Sequence, residues 1–369
     1  MITTRADVVG SLLRPPELLK ARQDFAAGQI GSAAFKAVED RAVDAAVALQ
    51  EAAGLEVVTD GEMRRLSFQS QMTEAVEGFG EHDLDAFLWG QWRGEQPVGD
   101  RTTARPPALG VVSKLKPKRH LSVEEFTTLR ARARAVPKIC LPSPSLWANF
   151  WSPERSRGAY PTLEAFLADV VDILRREVAE LVRLGATYIQ LDAPHYTAFL
   201  DDSARAFYEN LGWSAAEWLE RGIEMDNALM AGHPEVTFGF HLCRGNQGSR
   251  WLVEGGYDAI AAPIFRRTHA QRLLLEFDDE RSGSFRPLRE VPDDKIVVLG
   301  LVTTKSPRRQ TPQGLLARIR EAENFLPRER LAISPQCGFS TSVVGNRISP
   351  EDQEAKLRLV AETARAAWD

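Results

Sequence analysis

Cysteine is scarce in this chain. Its 369 residues include three, Cys140, Cys243 and Cys337, set far apart. Three thiols cannot all pair, so a disulfide framework is not expected, and free thiols fit a reducing cytoplasm. Long apolar runs are also missing. No stretch approaches the roughly 20 residues needed to span a bilayer. The start, MITTRADVVGSLLRPP, has no basic segment followed by an apolar run, so no signal peptide is expected. Positive charge is not in excess: 46 Lys and Arg stand against 51 Asp and Glu, a net charge of −5. Nucleic acid and anionic membranes are therefore not expected partners, because counter-ion release needs a basic face. No repeat of 20–50 residues, linker or low-complexity tract is present. Oligomeric state is not legible, and a homo-oligomer is compatible with all of this.

What remains is ordinary globular material, 44% apolar and 26% charged, enough for a large core. Short apolar runs alternate with helical patterns. Strands are expected at Asp7–Gly10, Leu55–Asp60, Lys138–Leu141, Tyr188–Asp192, Val236–His241, Leu273–Glu276, Lys295–Val302 and Leu331–Ser334. Helices are expected at Ala33–Ala53, Thr162–Leu184, Thr311–Asn324 and Pro350–Trp368, two of them closed by glycine, Gly54 and Gly185. Buried strands alternating with helices mean a closed (β/α)8 barrel or an open doubly wound sheet. Glu62, Asp192, His241, Glu276 and Cys337 fall at or just past strand C-termini. A barrel gathers such ends in one place, which favours a TIM barrel formed by residues 1–369 as one domain. Leu109–Val112 would be a ninth strand and is set aside. It borders a Gly- and Trp-rich segment near residues 80–107 that reads as an insertion over one end of the barrel.

His241 and Cys243 end a strand at positions i and i+2, so both side chains point the same way. With Glu276 and Cys337 they offer one nitrogen, one oxygen and two sulfurs, a set suited to tetrahedral Zn2+. The bland alternative for each cysteine is a small buried hydrophobe. Cys140, inside KICLP, reads that way. Two thiolates leave a bound exogenous thiol nucleophilic, which points to transfer onto sulfur rather than to hydrolysis.

At these residues the chain resembles the catalytic barrel of cobalamin-independent methionine synthase, from Arg5 to nearly the C-terminus. The resemblance implies zinc ligation by His241, Cys243, Glu276 and Cys337, and methyl transfer to homocysteine. It also implies binding of the substrate carboxylate at Val9-Gly10-Ser11 through Ser11, and of its ammonium by Glu62 and Asp192. The bland readings are helix capping for Ser11, an Arg64 or Arg65 partner for Glu62, and a buried hydrogen bond for Asp192. Departures concern the methyl donor. Asp192-Ala193-Pro194-His195 stands where the family has Asp-Glu-Pro-Ala, a folate-contacting glutamate falls on Ala198, and an Asp and His pair becomes Thr303 and Lys305. Lys305 is then the candidate catalytic proton donor, against the alternatives of a solvated lysine or one holding an anion. Trp147, Phe150 and Trp151 form either a stacking platform for a flat donor or a wedge under a loop. The same short branch includes epoxyalkane:coenzyme M transferases, so alkyl transfer to another thiol is the alternative function. Arg14, Arg64, Arg65 and Arg244 are candidates for binding a sulfonate or a polyglutamate tail. The implied partners are a small-molecule thiol and a methyl or alkyl donor.

Overall fold

Strands that are apolar on both faces are stable only where both faces are covered, and the chain places them so. The computed structural model describes residues 1–81, 92–94 and 109–369. Among these the strands are β1 (Val57–Val58), β2 (Val76–Glu81), β3 (Leu109–Pro117), β4 (Val136–Pro137), β5 (Ile139–Pro142), β6 (Tyr188–Asp192), β7 (Thr237–Leu242), β8 (Arg272–Glu276), β9 (Ile296–Val302) and β10 (Leu331–Pro335). Every residue of β5 to β10 is buried, and these six form one parallel sheet in the order β10-β9-β8-β7-β6-β5.

The sheet continues at both ends. β1 pairs in parallel with β4, and the Lys138 N–H donates to Val58 O at 2.9 Å where β4 runs into β5. Beyond β10, Ala6 bridges Ile333 in parallel, with the Asp7 N–H on Ile333 O at 2.9 Å. Residues 5–9, β10, β9, β8, β7, β6, the β4/β5 segment and β1 are the eight positions of a (β/α)8 barrel.

The seam between β1 and residues 5–9 is not a ladder. It is crossed by Thr59 Oγ1 donating to Gly10 O at 2.6 Å and Leu12 N–H donating to Gly61 O at 3.0 Å. Among the described residues the expected strand Asp7–Gly10 thus forms no ladder, and the one bridge to β10 falls just before it, at Ala6. Its carbonyls are taken by side chains instead. Lys138 Nζ donates to Val8 O, while Gln190 Nε2 (2.9 Å) and Cys140 Sγ (3.1 Å) donate to Val9 O.

Leu109–Val112 belongs to β3, which pairs antiparallel with β2 outside the barrel. The insertion expected near 80–107 continues from this hairpin, but residues 82–91 and 95–108 lie outside the described residues. Phe79 of the hairpin packs on Trp147 (5.6 Å) and Phe150 (5.8 Å). Those aromatics therefore act as the wedge, and none of Trp147, Phe150 and Trp151 lines the main cavity.

The helices follow their caps. Thr162 Oγ1 accepts from Ala165 N–H ahead of Leu163–Arg183, Thr311 caps Pro312–Ala322, and a capping box of Ser349 and Asp352 opens Pro350–Trp368. Gly54 (φ 87°) and Gly185 (φ 91°) close the helices before β1 and β6. Among the described residues no helix is long and apolar enough to cross a membrane.

Candidate functional site

The C-terminal ends of β6 and β7, the turn after β1 and the turn after β10 meet at a cavity of about 870 Å³. β6 and β7 are in register with Asp192 beside His241. The ligand atoms of His241, Cys243 and Cys337 lie within 4.8 Å of one another, and all three residues are buried. His241 Nδ1 lies 3.3 Å from Leu274 O, a backbone acceptor that fixes the ring proton on Nδ1. Nε2 is then the ring nitrogen left for a metal, and it is buried without a hydrogen-bond partner among the described residues. A lone pair left orphaned beside two sulfurs is what a soft divalent ion requires, so the residues fit zinc. A hydrogen bond from the Cys337 thiol holds the Cys243 thiol well below its usual range against the opposing effect of burial, with His241 adding to the effect. Burial lowers the His241 pKa, but Cys243, Asp192 and Glu276 together raise it.

Glu276 stands apart from these three. Its Oε2 accepts from the Arg244 N–H at 2.8 Å and its Oε1 lies 3.2 Å from Lys305 Nζ and 3.6 Å from Arg281. Burial opposes its charge, yet Lys305, Arg244 and Arg281 hold its carboxyl at about 2. The structure thus brings together three of the four expected ligands and holds the fourth, ionised, on the neighbouring strand.

Glu62 and Asp192 face the same cavity. With Cys140 they form a second close group, ligand atoms within 4.8 Å. Gly61 (φ 68°) and Glu62 (φ 55°) both take left-handed backbone, held in place by Asp60 Oδ1 accepting from the Glu62 N–H at 2.9 Å. Burial raises the Glu62 carboxyl despite Arg65 and Arg14. Burial raises the Asp192 carboxyl to about 7, with the Glu62 charge adding to it. Glu62 Oε1 pairs with Arg65 Nη1 at 3.4 Å, the arginine partner that the alternative reading expects, while Oε2 is buried and unpartnered. Two carboxylates that destabilise one another are relieved by a cation placed between them.

Ser11 lines the same cavity. Its Oγ accepts from the Ser340 N–H at 3.3 Å and its carbonyl from the Phe339 N–H at 2.8 Å, which ties the first turn to the loop carrying Cys337. The approach is so close that a Cβ on Gly338 would stand 2.1 Å from Ser11 Oγ and 3.2 Å from Ser11 N. Gly338→Ala should therefore weaken thiol-substrate binding by about tenfold, roughly the 1–3 kcal/mol of overpacking. Isothermal titration reads the change. Equal affinity in Gly338→Ala and wild type removes this wall from the site.

Lys305 lines a second, more polar cavity of about 1730 Å³, together with Arg281, Arg308 and Thr303, and not the one that holds the thiol cluster. The four arginines expected near the mouth are used internally. Arg14 donates to the carbonyls of Leu12, Ser340 and Glu62, and Arg64 pairs with Glu39 and Asp40. Arg65 chelates Glu125, and Arg244 donates to the carbonyls of Gly255, Glu276 and Ser282. A buried arginine satisfied by carbonyls reads in a sequence like a surface cation.

Cys140 is buried, as its place inside KICLP implies, and does not line the cavity. His195, to which the sequence assigns no role, follows Asp192 at a strand end and does line it.

Residues 1–361 match the family model described as "Cobalamin-independent synthase, Catalytic domain". Among curated relatives, "Uncharacterized protein YxjH" of Bacillus subtilis is 34% identical over 99% of this chain and 94% of its own length. "Methionine synthase" of Pyrococcus abyssi is 28% identical over 90% and 85%. A solved B12-independent methionine synthase from Shewanella sp. W3-18-1, in complex with selenomethionine, superposes with a TM-score of 0.74 at 18% identity, covering 99% of this chain and 98% of that one. With the family model spanning nearly its whole length, the chain belongs to the cobalamin-independent methionine synthase catalytic-domain family.

Proposed function

We propose that this protein transfers a methyl group to the thiol of homocysteine, forming methionine, and depends on zinc held by His241, Cys243 and Cys337 with Glu276 as the fourth, more readily released ligand. One observation carries this reading. The orphaned His241 Nε2 and two cysteine sulfurs share a cavity with a pair of buried carboxylates placed for an ammonium. A bound zinc would supply a lowered thiol pKa and a fixed sulfur position at neutral pH. The chain's own residues do the rest. Glu62 and Asp192 hold the ammonium, Ser11 receives the carboxylate, and the apolar wall of Phe68, Trp92, Leu252 and Val253 excludes water from the thiolate. Selenomethionine in the Shewanella relative is a product analogue of this reaction.

The alternative, alkyl transfer to coenzyme M, needs a cation for the sulfonate. Among the described residues lining the thiol cavity the one arginine or lysine is Arg244, whose guanidinium is committed to three carbonyls. Two acids and, among the described residues, no uncommitted arginine or lysine favour an amino-acid thiol over a sulfonate thiol. The test is a titration of cobalt-substituted protein with homocysteine, coenzyme M and glutathione, read by the sulfur-to-metal charge-transfer band. Homocysteine should produce the band at the lowest concentration. Binding of coenzyme M alone would replace the proposed substrate, and no band with any thiol would end the reading.

A further inference from the structure

Among the described residues of the thiol cavity, His195 is a titratable side chain that this chemistry does not use. His195 sits in the 3-10 segment Pro194–Leu200 after β6 and lines the same cavity as His241, Cys243 and Cys337. It is 1% exposed. Its Nε2 lies 2.7 Å from Ser145 Oγ, while its Nδ1 is buried and has no protein partner. Ser145, in the matching segment Pro144–Phe150 after β5, also lies 3.3 Å from Tyr196 Oη. Tyr196 Oη in turn lies 2.7 Å from Asp226 Oδ2. All four side chains are buried. The run ends on the helix Ala215–Met230, whose capping box (Ser214, Glu217) fixes its start. On that helix Gly222, one turn before Asp226, leaves the room that Tyr196 occupies, since a Cβ there would stand 2.3 Å from the hydroxyl. A continuous polar run therefore starts at an interior carboxyl and ends at the ring of His195, a residue that lines the cavity.

We propose that His195 is a catalytic residue for the methyl-donor half-reaction, delivering a proton from Nδ1 to the nitrogen from which the methyl group departs. The inference rests on the methyl-transfer reading above and adds the class of donor: one whose leaving atom takes up a proton. As the sulfur lone pair forms the S–C bond, the C–N bond breaks and its electron pair stays on nitrogen, which takes the Nδ1 proton. Nε2 takes the Ser145 proton, Ser145 that of Tyr196, and Tyr196 that of Asp226, which is left as a carboxylate and is reprotonated between turnovers. The charge states suit these roles. Burial lowers the His195 pKa to about 3, so the ring is neutral and carries one proton. Burial raises Asp226 to about 7, so its carboxyl holds a proton in a large share of molecules at neutral pH. Ser145 gives its single proton to its nearest neighbour, Nε2, and this places the ring proton on Nδ1. Lys305, paired to Glu276, faces the other cavity.

The experiment compares two donors on the zinc-loaded full chain with homocysteine. Methyltetrahydrofolate leaves through a nitrogen that must be protonated, while methyl iodide leaves as an ion that need not be. His195→Ala should lower the rate from methyltetrahydrofolate by roughly 10²- to 10³-fold, within the usual range of general acid catalysis, and the methyl iodide rate by far less. His195→Asn, which keeps a donor near the Nδ1 position but loses the link to Ser145, and Tyr196→Phe should fall between. Nitrogen NMR of labelled histidine should show the Nδ1–H tautomer in wild type and a mixture in Ser145→Ala. Equal losses with both donors, or wild-type rates in His195→Ala, overturn the assignment. So does a wild-type protein that alkylates homocysteine from methyl iodide but makes no methionine from methyltetrahydrofolate. Failure of zinc-loaded wild type with methyl iodide instead breaks the thiol-activation reading beneath it.

Discussion

Cys337→Ser should lose metal and activity together. Zinc sites of this donor type hold their ion by about 10–16 kcal/mol, so one of four ligands is worth on the order of 3–4 kcal/mol, or 10²- to 10³-fold in affinity. The loss here includes more than one bond. In the metal-free protein the Cys337 thiol supports the Cys243 thiolate by hydrogen bonding to it. A serine hydroxyl is a poor soft-metal ligand and cannot supply the second negative sulfur that keeps a bound thiol nucleophilic. Metal analysis after dialysis should read about one zinc per chain in wild type and far less in the variant, with methyl transfer reduced in parallel. Cys140→Ser is the control. Cys140 sits with Glu62 and Asp192, outside the His241 cluster, so that variant should keep its zinc. Chelator treatment of wild type should reproduce the Cys337→Ser phenotype and zinc should reverse it. Full zinc and full turnover in Cys337→Ser would place the chemistry elsewhere.

The parts of this site that could be read from the sequence are those whose spacing is tied to strand geometry. His241 and Cys243 share a face because extended chain repeats every two residues, and Asp192, Glu276 and Cys337 follow apolar runs that had to be buried strands. Helix limits were equally local, set by Thr162, Thr311, the Ser349-Pro350 start, Gly54 and Gly185. What escaped depends on contacts across the fold. The β2–β3 pairing joins segments on either side of the insertion. Residues 5–9 lack a ladder because Lys138, Gln190 and Cys140 reach their carbonyls from distant strands. Arg14, Arg65 and Arg244 look like surface cations until their carbonyl and carboxylate partners are seen. Glu276 occupies its expected strand end, but two of its three cationic neighbours, Arg244 and Lys305, come from the loops after β7 and β9.

Asp7→Ala should unfold the protein or come close to it, because this carboxylate carries the charge balance of the barrel interior. Asp7 is fully buried. Oδ1 accepts from Lys138 Nζ at 3.0 Å and from the Val8 N–H at 2.8 Å, while Oδ2 accepts from Tyr188 Oη at 2.6 Å and Arg272 Nε at 3.2 Å. Lys138 and Arg272 are themselves fully buried, so removing Asp7 leaves two interior cations without a counter-charge. Losing one partner of a single buried pair costs roughly 3–5 kcal/mol, against a total stability of about 5–15 kcal/mol for a typical domain. Arg272 keeps the carbonyls of Ile2 and Thr4, and Lys138 keeps Gln190, which limits the loss without removing it. Asp7→Asn should also be strongly destabilised, since an amide offers one acceptor oxygen where four donors converge. Lys138→Met in the Asp7→Ala background should restore part of the stability by removing one uncompensated charge, a coupling that a double-mutant cycle in urea measures directly. The pH dependence follows from the same group. Burial raises the Asp7 pKa, but Lys138 and Arg272 bring it below its ordinary value. Its contribution is then fully present above the unfolded aspartate pKa of about 3.9 and is lost as pH falls through the lower folded value. Asp7→Asn should therefore lack that part of the acid-unfolding limb below about pH 4. An Asp7→Ala protein with wild-type urea midpoint and acid limb would show that the two interior cations are balanced by something other than this carboxylate.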